Sequence, residues 1–141
     1  MLAQENTQTV QGNTQKVKDL YAAFGRGDMP SVLEAIADDA EWVLPGPADF
    51  PMAGTYRGKQ AVQGWFGTLV ENIEFHAVEP REFIAQGDKV VVLFYREGTM
   101  RRSGRTFAAH DAHVFTLRDG KITRHEAIED TAAEVVAYRG A

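Results

Sequence analysis

At 141 residues, 44% hydrophobic and 25% charged, the chain has the size and balance of one soluble globular domain with a sizeable core. Its net charge of −5, with Arg101, Arg102 and Arg105 as the only basic cluster, removes the electrostatic footprint of a nucleic-acid binder, so no nucleic-acid partner is expected. The absence of cysteine excludes thiolate catalysis and disulfides, and no apolar run approaches the ~20 residues that cross a bilayer, so no membrane partner is expected.

Residues 1–13, MLAQENTQTVQGN, lack the basic and apolar regions of a signal peptide and read as a flexible start to a cytoplasmic protein. A single domain then covers 14–141. Val17, Leu20, Tyr21 and Phe24 recur at helical spacing and predict a helix over 14–26, stopped by Gly25 and Gly27. Asp28 can cap a second helix with Pro30 in its first turn and Val32, Leu33 and Ile36 on its core side. A short strand over 41–44 ends at Pro45, Gly46 and Pro47. The Pro- and Gly-rich stretch 45–58 carries Phe50, Met52 and Tyr56, which suits either the rim of a pocket or a plain cover for the core. Val62, Trp65, Phe66 and Leu69 predict a third helix over 59–72.

Strands fill the rest. They run over 73–86, where Pro80 suits an edge or a bulge, then 89–102, 105–118 and 121–130, before a short helix over 131–138. The order α-α-β-α-β-β-β-β with a short C-terminal helix is α+β: three N-terminal helices packed on a curved, mostly antiparallel sheet.

The last hairpin, AAHDAHVFTLRDGKITRHEAIED over 108–130, holds three of the four histidines and five acids around an Asp119-Gly120 turn. A two-residue turn at Ser103-Gly104 would set Phe94 opposite His113, Arg96 opposite Asp111 and Val92 opposite Phe115. At Asp119-Gly120, a two-residue turn pairs His113 with Glu126. A three-residue turn with Gly120 as a left-handed bulge pairs His113 with His125, and this second reading is preferred. It aims Asp111, His113, His125 and Glu129 inward, with Arg96 beside Asp111, and turns His110 and Glu126 outward. A histidine beside a carboxylate on an apolar wall is a candidate for proton transfer near neutral pH. The same groups also suit a structural ion pair with hydrogen-bonded histidines. The histidine spacing offers no compact ligand motif, so no metal is expected.

The stretches VKDLYAAFGRGD (17–28), IADDAEW (36–42), YRGKQAVQGWF (56–66), HVFTLRDGKI (113–122) and EDTAAEV (129–135) resemble the SnoaL-like family of the nuclear-transport-factor-two-like superfamily. The resemblance implies a cone-shaped α+β barrel around an apolar pocket, with a homodimer through the outer sheet face, where Val114, Ile122 and Ile128 are apolar. By resemblance, the general base of the ketosteroid isomerases falls on Leu44, their tyrosine on Leu20 and their protonated aspartate on His113. None of these is kept, so standard ketosteroid isomerisation is not expected. The acid of the polyketide cyclases falls on Ala127, while their histidine matches His113.

The expected function is therefore cofactor-free proton-transfer chemistry, of isomerase, cyclase or dehydratase type, on a small apolar or polycyclic ligand. The catalytic set is His113, Asp111 and Glu129. The pocket set is Tyr21, Trp42, Leu44, Phe50, Tyr56, Trp65, Phe66, Phe94, Arg96, Phe115 and His125. A non-catalytic binding or dimerisation module, or a hydrolase using Arg96, Asp111 and Glu129, are the alternatives.

Overall fold

The computed structural model describes residues 2–140, with side chains from residue 9 onward. Helix α1 runs over Leu2–Gly25, so backbone helix begins well before the expected Thr14 and includes most of the segment read as flexible. Gly27, at φ 72°, turns the chain out of it, and the Asp28 N–H returns to the Ala23 carbonyl. Asp28 then caps α2 (Met29–Glu34) by accepting from the Ser31 N–H, with Pro30 in the first turn.

Strand β1 (Ile36–Leu44) starts earlier than the sequence pattern suggests, and takes Ile36 from the helix into the sheet. A four-residue strand, β2 (Gly54–Arg57), then pairs antiparallel with it. The sequence gives no sign of β2, because GTYR shows no apolar alternation and stays largely exposed. Helix α3 (Lys59–Asn72) is followed by β3 (Ile73–Gln86), β4 (Lys89–Met100), β5 (Thr106–Arg118), β6 (Lys121–Ile128) and α4 (Thr131–Arg139).

The six strands form one mixed sheet in the order β2-β1-β6-β5-β4-β3. The cone-shaped barrel is not formed: the sheet is open, its edges β2 and β3 do not pair with each other, and β1 runs parallel to β6. Short β2 and the Pro80-interrupted β3 are poor closing edges, since proline lacks the donor that a ladder needs.

Both expected hairpin registers are corrected. The β4–β5 connection is longer than two residues, closed by Met100 N–H to the Arg105 carbonyl and Gly104 N–H to the Met100 carbonyl. His113 therefore lies opposite Val92, and Asp111 opposite Phe94. At β5–β6, Asp119 and Gly120 both take positive φ, 54° and 77°, and make a two-residue turn that pairs Arg118 with Lys121. The bulge sits further along, where Thr116 pairs with Arg124 and Leu117 with Ile122. His113 accordingly faces Ala127, neither Glu126 nor His125.

The two-residue turn explains Ile122, which was expected on the outer face: it pairs with inward Leu117 and is fully buried. Outside the sheet, Leu93, Ala112 and Ile128 lie in one row across three strands, with Leu93 39% and Ile128 58% exposed. No described helix is long and apolar enough to cross a membrane.

Candidate active site

One face of the sheet, α1 and α3 line an apolar cavity of about 90 Å³. Strand alternation builds its floor. Phe94 and Arg96 come from β4, His113 and Phe115 from β5, His125 and Ala127 from β6, and Trp42 and Leu44 from β1. Helix α1 supplies Leu20, Tyr21 and Phe24 at one-turn spacing, and α3 supplies Trp65, Phe66 and Leu69 likewise. Phe75 and Val78 of β3 complete the wall with Glu129, just beyond β6.

Of the residues expected at the pocket, Tyr21, Trp42, Leu44, Trp65, Phe66, Phe94, Arg96, Phe115 and His125 line it, with His113 and Glu129. Three do not. Phe50 is buried instead against Tyr138, its ring centre 5.6 Å away. Tyr56 lies back on its own loop and donates to the Pro51 and Ala53 carbonyls. Asp111 sits behind the wall, where it accepts from Arg96 Nε and from the Asp130 N–H at 3.1 Å. The 45–53 loop is thus a core cover held from outside, with Trp65 Nε1 donating to the Met52 carbonyl and Arg139 bridging Asp49.

Arg96 is 4% exposed and meets three carboxylates: Asp111, Glu134 and, at 2.6 Å, Glu129. The Glu129 contact is close but lies off the hydrogen-bonding direction of that nitrogen. One cation cannot neutralise three buried anions, so one carboxyl keeps its proton. Burial first and Glu134 second push Glu129 up to about 8, while Arg96 pulls the other way. Burial raises Glu134 as well. Glu129 is therefore largely neutral at pH 7.

This has a consequence for stability. The Glu129 carboxyl binds its proton more tightly folded than unfolded, so the folded state holds the extra proton between about pH 4.5 and 8. Stability is expected to fall as pH rises through that window and to level off above it. Urea denaturation of Glu129→Gln, measured over the same range, is expected to lack this decline; an unchanged decline would place the proton elsewhere.

Tyr21 Oη lies 2.6 Å from His113 Nδ1. Burial, helped by Asp111, raises the phenol well above its ordinary value, so Tyr21 keeps its proton. Burial, then the Arg96 charge, pushes His113 down to about 3. His113 is thus neutral at physiological pH, against the sequence expectation of titration near 7. The carboxylate expected beside it is turned away to Arg96. A phenol O–H that donates to Nδ1 leaves the imidazole proton on Nε2. His125, its ring centre 5.1 Å from that of His113, is lowered by burial and by His113.

Sequence reasoning missed Glu134 of α4, which closes the charge cluster. A lone acid inside TAAEVVAY was the available signal, since an apolar helix seldom buries a carboxylate without a partner.

A family model described as SnoaL-like domain matches residues 17–125. An NTF2-like protein from Burkholderia xenovorans LB400 is 38% identical, with 92% of this chain and 97% of that one covered at TM-score 0.84. TerC, co-crystallised with polyporic acid, is 35% identical over 91% of this chain and 98% of its own, at TM-score 0.82. Among curated relatives, an uncharacterised protein of Mycobacterium tuberculosis (strain ATCC 25618 / H37Rv) is 29% identical over 109 residues, 77% of this chain and 81% of its own.

Proposed function

Because this chain belongs to the SnoaL-like domain family, we propose that its cavity carries out proton transfer at a carbon next to a carbonyl, the shared step of isomerase, cyclase and dehydratase chemistry. The observation that carries the reading is the Tyr21–His113 pair at 2.6 Å on the wall of an apolar cavity that also exposes Glu129. The ionised Glu129 carboxylate takes the proton, the carbon–hydrogen electron pair moves into the carbonyl, and the oxygen gains negative charge. The His113 Nε2–H hydrogen-bonds that oxygen as a neutral donor, with Tyr21 fixing its tautomer. Glu129 then returns the proton to the same or another carbon. A group held near 8 is suited to exchange a proton at neutral pH in either direction.

The aromatic wall suits a flat, apolar substrate. TerC was co-crystallised with polyporic acid, which supports a small-molecule ligand for this chain. A hydrolase built on Arg96, Asp111 and Glu129 is disfavoured because Asp111 is spent on Arg96 and the Asp130 N–H. The exposed row Leu93–Ile128 supports a second copy as the cover of the outer face.

The test is hydrogen–deuterium exchange at the carbon flanked by the ring and carbonyl of 2-tetralone, followed by NMR. The protein is expected to accelerate exchange over buffer, with a rate that rises with pH to about 8 and then levels as Glu129 ionises. Glu129→Gln is expected to remove both the acceleration and the bend. Exchange no faster than in buffer, for this ketone and for its cyclic and polycyclic homologues, would overturn the reading.

A further inference from the structure

Three side-chain atoms of cavity-lining residues are buried without a hydrogen-bond partner among the described residues. Arg96 Nη2 has the Glu129 carboxyl at 2.6 Å as its charge partner, which leaves Trp42 Nε1 and His125 Nδ1. Their residues are 1% and 4% exposed, and the two rings stack with centres 4.6 Å apart. The contrast with Trp65 is informative. Its indole N–H is satisfied by the Met52 carbonyl, so the fold can partner a buried indole when the role is only packing. Leaving an indole donor and an imidazole nitrogen unpaired costs about 1–3 kcal/mol each unless a bound molecule completes them.

We propose that Trp42 and His125 form a subsite for one uncharged oxygen of an aromatic ligand, a hydroxyl group above all. A hydroxyl matches both atoms at once, because its oxygen accepts from the Trp42 Nε1–H and its proton is donated to His125 Nδ1. The same cavity disfavours an ionised ligand. Among the described residues lining it, Arg96 is the one Lys or Arg, and its charge is already engaged by Asp111, Glu129 and Glu134. His113 and His125 are both neutral and give an anion no counter-charge. A carboxylate therefore loses its hydration without gaining a partner. The inference rests on the cavity being the ligand site, and it adds what that ligand carries: a planar aromatic body and a neutral hydroxyl.

Three probes of one ring skeleton separate the contributions: naphthalene, 2-naphthol and 2-naphthoate, titrated calorimetrically at pH 7. 2-Naphthol is expected to bind at least tenfold more tightly than either of the others. Trp42→Phe keeps a ring and removes the donor, so it is expected to bring 2-naphthol close to naphthalene while naphthalene itself changes little. A measurement on the unaltered protein guards against a folding defect in that variant. With 15N-labelled tryptophan, the Trp42 indole N–H resonance is expected to move downfield with 2-naphthol and to stay with naphthalene. Equal affinities for 2-naphthol and naphthalene, or an unmoved Trp42 resonance in the 2-naphthol complex, would overturn the subsite and leave the two atoms to ordered water. Failure of the 2-tetralone exchange with selective 2-naphthol binding intact would remove the proton-transfer reading and leave the subsite standing. Binding of none of the three probes would overturn it.

Discussion

Replacing Arg96 by methionine is expected to cost about 3–5 kcal/mol of folding stability, the largest loss of any single substitution in the cluster. The side chain is 5% exposed, and its removal leaves Asp111, Glu129 and Glu134 facing one another without a cation. Three elements come together there. Arg96 stands on β4, Asp111 on β5, and Glu134 on α4, while Glu129 precedes α4. Asp111 also accepts the Asp130 N–H, at the residue that caps α4. The loss should therefore include the docking of α4, which hydrogen exchange of that helix would report.

The sign with pH follows from the charges. Protonating the stranded carboxyls relieves the repulsion, so the deficit of Arg96→Met should shrink as pH falls. Adding Glu129→Gln and Glu134→Gln to Arg96→Met should recover part of the stability, since the cost is the uncompensated charge rather than the missing side chain. Denaturant midpoints of the single and triple variants at two pH values test this. A triple variant no more stable than the single would mean that lost packing by the Arg96 stem dominates.

The parts of this arrangement legible in the sequence are those that depend on parity. The expected β4–β5 register is wrong by two residues, yet a two-residue slip keeps every side chain on its face. Asp111 and His113 thus keep the inner side that alternation gave them. The β5–β6 error is of a different kind. The turn is the plain two-residue form, which alone would put His125 outward, and a bulge beyond Ile122 turns it back. Nothing in KITRHEA marks that bulge, because no glycine or proline is needed there. Helix α3 was readable to its ends because four apolar residues keep strict spacing. Strand β2 was not, because its formation depends on pairing with β1 rather than on its own pattern. Charge state lay furthest beyond reach. That Glu129 holds a proton and His113 lacks one depends first on their burial in the assembled fold, then on Glu134 beside Glu129 and on Arg96 near His113, both brought from elsewhere in the chain.

That charge state sets the expected outcome of His113→Phe. The ring fits the aromatic nest of Tyr21, Phe94 and Phe115, so the fold should survive, with only the Tyr21 hydroxyl left short of its partner. Removing one donor to a developing oxyanion typically costs about 10²–10³ in rate, and that is the loss expected for 2-tetralone exchange. Tyr21→Phe acts only through the His113 tautomer and orientation, so a smaller loss, on the order of tenfold, is expected. The pH profile separates this role from general acid–base catalysis by the same histidine. A histidine that moves the proton would put a bend near its own titration point, and His113 is pushed down to about 3, below the range of the assay. The bend near 8 belongs to Glu129. His113→Phe should therefore lower the whole profile and leave the bend where it is. Loss of the bend in His113→Phe, with the bend retained in Glu129→Gln, would exchange the two roles and make His113 the proton carrier.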